Sequence, residues 1–114
     1  MKKIPLFLFV TLLFFMNPCC HAKKTTTQYP VVLVHGLMGF DNLLGLDYFY
    51  NVATSLNQDG TLVFTPAVSA INSSEVRGEQ LLTHVETILA LTGAKKVNLI
   101  GHSQGAQTVR YVAS

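Results

Sequence analysis

A serine set between two glycines is the chain's clearest candidate for chemistry. Gly101-His102-Ser103-Gln104-Gly105 fits the spacing Gly-x-Ser-x-Gly, in which the two glycines let the chain turn sharply from a strand into a helix. At such a turn the serine backbone is strained and its hydroxyl is pushed above the sheet, where it can attack a carbonyl carbon. The alternative is an ordinary glycine-rich turn that contains a capping serine.

A second glycine-containing segment, residues 35–39 (HGLMG), follows the first apolar run. Acyl transfer to a serine needs two backbone N–H groups aimed at the oxygen that becomes negative. The residue after the nucleophile, Gln104, is expected to supply one of them at the start of its helix. Met38, in the loop, is the best candidate for the other. His35 and Gly36 begin this loop, and we interpret His35 as a hydrogen-bonding residue that stabilises it rather than as a base.

Three apolar segments, residues 29–34, 61–65 and 97–100, predict strands. The first is unbroken and β-branched, which is typical of a strand buried on both faces of a parallel sheet. Pro30 can stand only at its beginning, because proline has no N–H for the ladder.

Helical spacing of apolar residues predicts helices over 48–57, 74–92 and 104–113. The second begins after Asn72-Ser73-Ser74-Glu75, which resembles a capping box with Asn72 as the cap, and Gly93 is its expected end. Strands and helices therefore alternate along the chain. This order predicts an α/β fold with parallel strands and right-handed crossovers.

The first 22 residues have the pattern of a secretory signal peptide. Lys2 and Lys3 precede an apolar run over 4–16, and the small-residue site Cys20-His21-Ala22 follows. The run is shorter than the roughly 20 residues that a membrane span needs, although an uncleaved anchor is the alternative. Residues 23–28 are predicted to be a flexible leader, and the protein is predicted to be exported, to the periplasm or the extracellular medium.

Composition without that segment excludes several classes of protein. The two cysteines and two of the eight Lys and Arg residues lie within residues 1–22, so the remainder has no cysteine and no net charge. No disulfide is therefore expected there. The absence of a basic patch argues against nucleic acid as a partner.

Three separated blocks resemble one family. YPVVLVHGLMGFDNLLG at 29–45, SSEVRGEQLL at 73–82 and VNLIGHSQGA at 97–106 look like the bacterial secreted triacylglycerol lipases of the Pseudomonas, Burkholderia and Proteus group, in the α/β-hydrolase superfamily. The resemblance covers residues 29–114 and implies a parallel sheet with flanking helices. It also implies that Ser103 is the acylated nucleophile, that the Met38 and Gln104 amides form the oxyanion hole, and that the substrate is a glyceride ester at a lipid–water interface.

The resemblance also leaves parts of a lipase unassigned. A serine nucleophile needs a histidine base and a carboxylate, which follow the serine in this fold, yet no Asp, Glu or His follows Ser103. We expect His102 to project away from the serine and His84 to be solvated. The chain is expected to be the N-terminal part of a longer lipase, inactive alone. The alternatives are a dead remnant and an esterase, thioesterase or acyltransferase of the same superfamily.

The remaining candidates concern substrate contact, metals and charge. Leu37 and Phe40 are the predicted acyl-pocket residues, whereas most other aromatic residues of 40–50 are expected in the core. Family members carry a structural calcium and a lid, but no calcium ligand and no cofactor are assigned to this segment, and a folding helper is left open. Arg77 and Glu79 are expected to form an ion pair or surface contacts. The lone acids Asp41, Asp47 and Glu79 are expected to be caps or solvated charges.

Overall fold

A computed structural model describes residues 26–37, 42–43 and 46–114, with the backbone alone at 42, 43, 46 and 47. The predicted signal peptide, residues 23–25 of the predicted leader, and the predicted site residues Met38 and Phe40 lie outside the described residues. The strands are β1 (Val31–Val34), β2 (Asn42–Leu43), β3 (Leu46–Asp47), β4 (Val63–Phe64) and β5 (Asn98–Gly101), and the helices are α1 (Val52–Gln58), α2 (Ser74–Thr92) and α3 (Gln104–Ala113).

The main sheet has three parallel strands in the order β4-β1-β5. Val31 lies opposite Val63 on one side and Asn98 on the other, and Val34 lies opposite Gly101. All four residues of the central strand β1 are buried, as expected for a strand with neighbours on both edges and helices on its faces. The predicted α/β fold class is confirmed. The antiparallel pair of β2 and β3 was not predicted.

Helix α2 spans the predicted range, but its predicted cap is wrong. Ser73, with extended backbone angles, is the N-cap, and its Oγ accepts a hydrogen bond from the Val76 N–H at 3.3 Å. Asn72 lies one residue too early for that bond, and its Oδ1 accepts from the Ser73 N–H instead. Gly93 ends the helix at φ 68°, a left-handed conformation that glycine adopts without a Cβ clash.

Helix α1 begins four residues later than predicted. Asn51 has φ 60°, and a left-handed residue cannot continue a right-handed helix. Residues 48–50 therefore form a turn before the helix. This difference affects the site, because the turn carries Tyr48.

The core lies between the sheet and α2. Its buried residues come from β1, from the segment after β4 and from one stripe of α2: Val32, Val34, Val68, Leu81, Val85 and Ile88. Two apolar residues of α2, Val76 and Leu91, are exposed, because they lie outside this stripe. Among the described residues, no helix combines the length and apolarity that crossing a membrane requires.

Candidate active site

Ser103 lies at a sharp bend between the end of β5 and the start of α3. Its backbone angles are φ 57° and ψ −126°, outside the regions that side-chain-bearing residues readily occupy. Such a conformation costs of order 1–3 kcal/mol and persists only where the surroundings impose it. Ser103 is exposed, and its side chain does not make a capping hydrogen bond to α3. The bend therefore presents the serine outward instead of using it as a helix cap.

The two glycines of the motif allow close backbone contacts on either side of Ser103. A Cβ on Gly105 would collide with the Val34 carbonyl oxygen and lie 2.8 Å from that of His35. A Cβ on Gly101 would collide with the backbone of Gly105. Helix α3 can start against the end of β1 only because both positions lack a side chain.

The loop after β1 lies directly against this bend. A Cβ on Gly36 would be 2.9 Å from the Ser103 Cβ and 3.0 Å from both the His102 carbonyl oxygen and the Tyr48 hydroxyl. Leu37 follows and is 56% exposed. Two predicted site segments, 35–39 and 101–105, thus meet at Gly36.

His35 is buried, and both of its ring nitrogens contact backbone groups. Its Nε2 accepts a hydrogen bond from the Val68 N–H at 3.1 Å, which requires the ring proton to be on Nδ1 in the neutral form. Nδ1 then donates to the Gly36 carbonyl oxygen at 3.0 Å. This arrangement fits a residue that stabilises the loop, and it leaves no ring nitrogen free to act as a base.

Arg77 is fully buried and its hydrogen-bond acceptors are neutral, so the expected internal ion pair or surface contact is wrong for this residue. It lies four residues before Leu81 and eight before Val85, on the face of α2 that contacts the sheet. Its Nη2 donates to the carbonyl oxygens of His35 at 2.5 Å and Gly36 at 3.3 Å.

The guanidinium also holds the first residue of α3. Its Nη1 donates to the Gln104 Oε1, and the Gln104 Nε2 donates to the Asn72 carbonyl oxygen at 3.4 Å. One arginine therefore connects the loop after β1 to the helix that follows the serine. The Gln104 backbone N–H is at the helix start, where N–H groups have no intrahelical acceptor and carry partial positive charge.

Burial rather than a carboxylate dominates the electrostatics of Arg77. Desolvation lowers its pKa, but an arginine stays protonated in proteins. Within the described part of the chain its hydrogen-bond acceptors are all neutral oxygens, and its Nε has no partner. Glu79, two residues along, faces elsewhere and accepts from the Tyr111 hydroxyl at 2.6 Å.

Tyr48 connects the loop to the bend from the other side. Its hydroxyl accepts from the Gly36 N–H at 3.1 Å and lies 2.7 Å from the His102 Nδ1. Its ring packs edge-on against Phe49 and His102. Together with Tyr50 and Val52, these three rings line an open cavity of about 450 Å³.

Comparisons with known proteins identify the family of this chain. A family model described as alpha/beta hydrolase fold matches residues 29–114. The chain belongs to the α/β-hydrolase fold family.

Three curated relatives of this α/β-hydrolase share the name triacylglycerol lipase. The chain is 66% identical over 90 residues to a triacylglycerol lipase of Vibrio cholerae, covering 79% of this chain and 29% of the relative. It is 51% identical over 91 residues to one of Pseudomonas fragi, covering 80% and 31%, and 47% identical over 104 residues to one of Burkholderia plantarii, covering 86% and 29%. The chain thus spans less than a third of the length of these relatives.

Two of the α/β-hydrolase's site residues, Arg77 and Tyr48, were not assigned to the site from the sequence. Arg77 continues the stripe of Leu81 and Val85 at four-residue spacing, and a charged residue on an apolar helix face is a signal that could have identified it. Tyr48 carries no such signal, since its contacts with Gly36 and His102 span 12 and 54 positions.

Two further candidates in the described residues are His84 and a metal site. His84 is half-buried on α2, and its Nε2 contacts the Ala67 carbonyl oxygen at 3.1 Å. Between residues 26 and 114, as far as they are described, no three His, Cys, Asp or Glu side chains cluster as metal ligands.

Proposed function

We propose that the protein is a secreted triacylglycerol lipase that cleaves the carboxylic ester bonds of glycerides through an acyl-enzyme on Ser103. One observation carries the proposal: Ser103 is exposed in a strained conformation between β5 and α3, and neither Gly101 nor Gly105 has room for a side chain. Strained backbone of this kind persists at functional sites. The triacylglycerol lipases named above supply the substrate class.

The proposed reaction has two steps that both pass through the serine. The Ser103 Oγ attacks the ester carbonyl carbon while a base takes its proton, and the carbon–oxygen bond to the glycerol breaks as the alcohol oxygen takes that proton. Water then cleaves the ester formed with Ser103 and releases the fatty acid. We assign neither the base nor its carboxylate to a residue of this chain.

The negative oxygen formed in each step would be stabilised by two backbone amides. The Gln104 N–H is suited to this role as the first N–H of α3. The other donor is Met38, which lies two residues beyond Gly36, the residue in contact with the serine. Each such donor contributes about 3–4 kcal/mol to lowering the barrier.

Apolar side chains near the bend support a fatty acyl substrate. Leu37 follows the residue that touches Ser103, and Ile71 precedes Asn72, which contacts the Gln104 side chain. Leu37 is 56% and Ile71 is 70% exposed. We propose Leu37 and Phe40 as acyl-chain contacts.

Substitution of the nucleophile tests the proposed function. In the complete enzyme, we expect Ser103→Ala to lower the hydrolysis of emulsified trioctanoin by about 10⁴-fold or more. Ser55→Ala, at an exposed position of α1, is the matched control and should leave the rate unchanged. A Ser103→Ala enzyme that keeps more than about a hundredth of the rate would show that another group is the nucleophile.

The chain length of the esters that are hydrolysed tests the proposed substrate class. A lipase should hydrolyse long-chain p-nitrophenyl esters and emulsified glycerides, whereas an esterase of the same family would act on soluble short-chain esters alone.

We propose that residues 1–22 are removed on export. N-terminal sequencing of the exported protein should begin at Lys23, and a product that starts at Met1 would contradict it.

A further inference from the structure

The backbone C=O and N–H groups of Gly36 are both held by side chains, two of which come from distant parts of the chain. Its carbonyl oxygen accepts from Arg77 at 3.3 Å and from the His35 Nδ1 at 3.0 Å. Its N–H donates to the Tyr48 hydroxyl at 3.1 Å. Gly36 is buried, so each of these polar groups requires a partner within the protein.

We propose that Tyr48 is a positioning residue for the reaction: its hydroxyl joins the Gly36 N–H to the His102 ring and thereby holds the loop after β1 against Ser103. The inference rests on the proposed function, because it concerns the distance between that nucleophile and the loop predicted to supply an oxyanion donor. Tyr48 acts through Gly36 and need not touch the substrate.

The hydrogen-bonding capacity of a tyrosine hydroxyl matches this position. The hydroxyl has one proton to donate and an oxygen that accepts. It accepts from Gly36, and it donates to the His102 Nδ1 at 2.7 Å when that nitrogen carries no proton. One oxygen atom thus connects the loop to the residue immediately before Ser103.

The close contacts at Gly36 mean that the hydrogen bond to Tyr48 affects the distance between the loop and Ser103. The space that a Cβ would occupy is bounded by the Ser103 Cβ, the His102 carbonyl oxygen and the Tyr48 hydroxyl itself, all at 2.9–3.0 Å. No side chain could therefore stand between the loop and the serine. Without the hydroxyl the loop can move away, which would displace the following residues from the reacting oxygen.

The ring of Tyr48 makes separate contacts that a phenylalanine would keep. Its centroid is 4.9 Å from that of Phe49 and 5.7 Å from those of His35 and His102. The substitution Tyr48→Phe therefore removes the hydroxyl and retains the packing. Tyr111→Phe is the matched control, since the Tyr111 hydroxyl contacts Glu79 on α2, outside the bend and the loop.

The test measures rates per active site in the complete enzyme. Sites are titrated with a p-nitrophenyl phosphonate, so that unfolded molecules do not contribute to the rate. We expect Tyr48→Phe to lower kcat per titrated site by about tenfold, with KM changed by less than about twofold, because a small misplacement of reacting groups reduces kcat. Tyr111→Phe should change neither. An unchanged kcat, or a change in KM alone, for Tyr48→Phe would overturn the inference.

A second variant keeps the inference testable if Tyr48→Phe does not fold. His102→Phe retains a flat ring but removes Nδ1, and we expect it to lower kcat by less than Tyr48→Phe does. In the double variant Tyr48→Phe/His102→Phe the two losses of kcat should not multiply, because both substitutions break the same connection. An unchanged kcat in His102→Phe would overturn the inference. An active wild-type enzyme in which the phosphonate does not titrate Ser103 would refute the proposed function itself. Normal titration together with an unchanged kcat in Tyr48→Phe would refute only the inference about Tyr48.

Discussion

The bend at Ser103 and the loop at Gly36 touch each other but are held in place by different means. The bend is fixed by contacts between main-chain groups: Gly101 packs against the Gly105 backbone, and Gly105 packs against the carbonyl oxygens of Val34 and His35. The loop is fixed by side chains, chiefly Arg77 and Tyr48, that lie 12 to 41 residues away from Gly36.

Within one site, the bend is therefore constrained by steric contact and the loop by hydrogen bonds. A bend held by backbone contacts should tolerate almost no substitution at its glycines. A loop held by side-chain hydrogen bonds should lose precision gradually as individual bonds are removed, because each contributes only about 1 kcal/mol net. The predictions below test whether the two regions respond in these two ways.

The largest effect is expected at the bend, from Gly105→Ala. The added Cβ would collide with the carbonyl oxygen of Val34 in the central strand, and α3 would have to separate from β1. We expect a loss of about 3 kcal/mol or more in the free energy of unfolding, measured by denaturant titration, together with loss of hydrolysis.

Gly93→Ala is the control for this substitution. Gly93 has a positive φ, unlike Gly105, but nothing lies within 4 Å of where its Cβ would be, so backbone strain of about 1 kcal/mol is the expected cost. Activity should remain. If Gly105→Ala were no more destabilising than Gly93→Ala, the bend would not be held by steric contact.

An intermediate effect is expected at the loop, from Arg77→Met. The change leaves the buried carbonyl oxygens of His35 and Gly36 with fewer donors, at about 1–3 kcal/mol. Part of this cost is offset because a buried cation is also removed. We expect hydrolysis per titrated site to fall about tenfold through misplacement of the loop.

Two further substitutions sharpen the result for Arg77. Arg77→Lys should not restore the rate, because an ammonium lacks the planar fork that reaches three acceptors. Arg110→Met, at an exposed position of α3, should have no effect. If Arg77→Met hydrolysed the ester as fast as Arg110→Met, Arg77 would not position the loop.

The smallest effect is expected outside both regions, from Tyr111→Phe. The Tyr111 hydroxyl donates to Glu79, and this hydrogen bond raises the pKa of Tyr111. A raised phenol pKa stabilises the fold below the ordinary tyrosine pKa of about 10, and that contribution is lost as pH rises through the raised value. The urea midpoint of wild type should exceed that of Tyr111→Phe slightly at pH 7. The difference should disappear in strongly alkaline buffer, and a difference that grew there would contradict the assignment.

The fold class and the bend were predictable from the sequence because both depend on local pattern. The α2 range follows from apolar spacing and a terminal glycine, and Gly-x-Ser-x-Gly predicts its own turn, since the two glycines and the serine interact within five residues. The four buried residues of β1 were likewise indicated by an unbroken apolar run.

The predictions that failed involve single residues whose neighbours are distant or whose backbone angles are unusual. Asn51 ends any helix through Tyr48 because of its left-handed φ, which its residue type does not require. Arg77 was expected in an internal ion pair or a surface contact because charged residues seldom lie buried unless they are paired, and its neutral acceptors became evident only from the packing of α2 on β1.

Covalent labelling of the complete enzyme with a p-nitrophenyl phosphonate, followed by peptide mass spectrometry, tests the central claim most directly. The account predicts release of one equivalent of p-nitrophenolate, full loss of hydrolysis, and the added phosphonyl mass on Ser103 within Gly101-His102-Ser103-Gln104-Gly105. A label on another residue, or an enzyme that stays active and unlabelled, would contradict it.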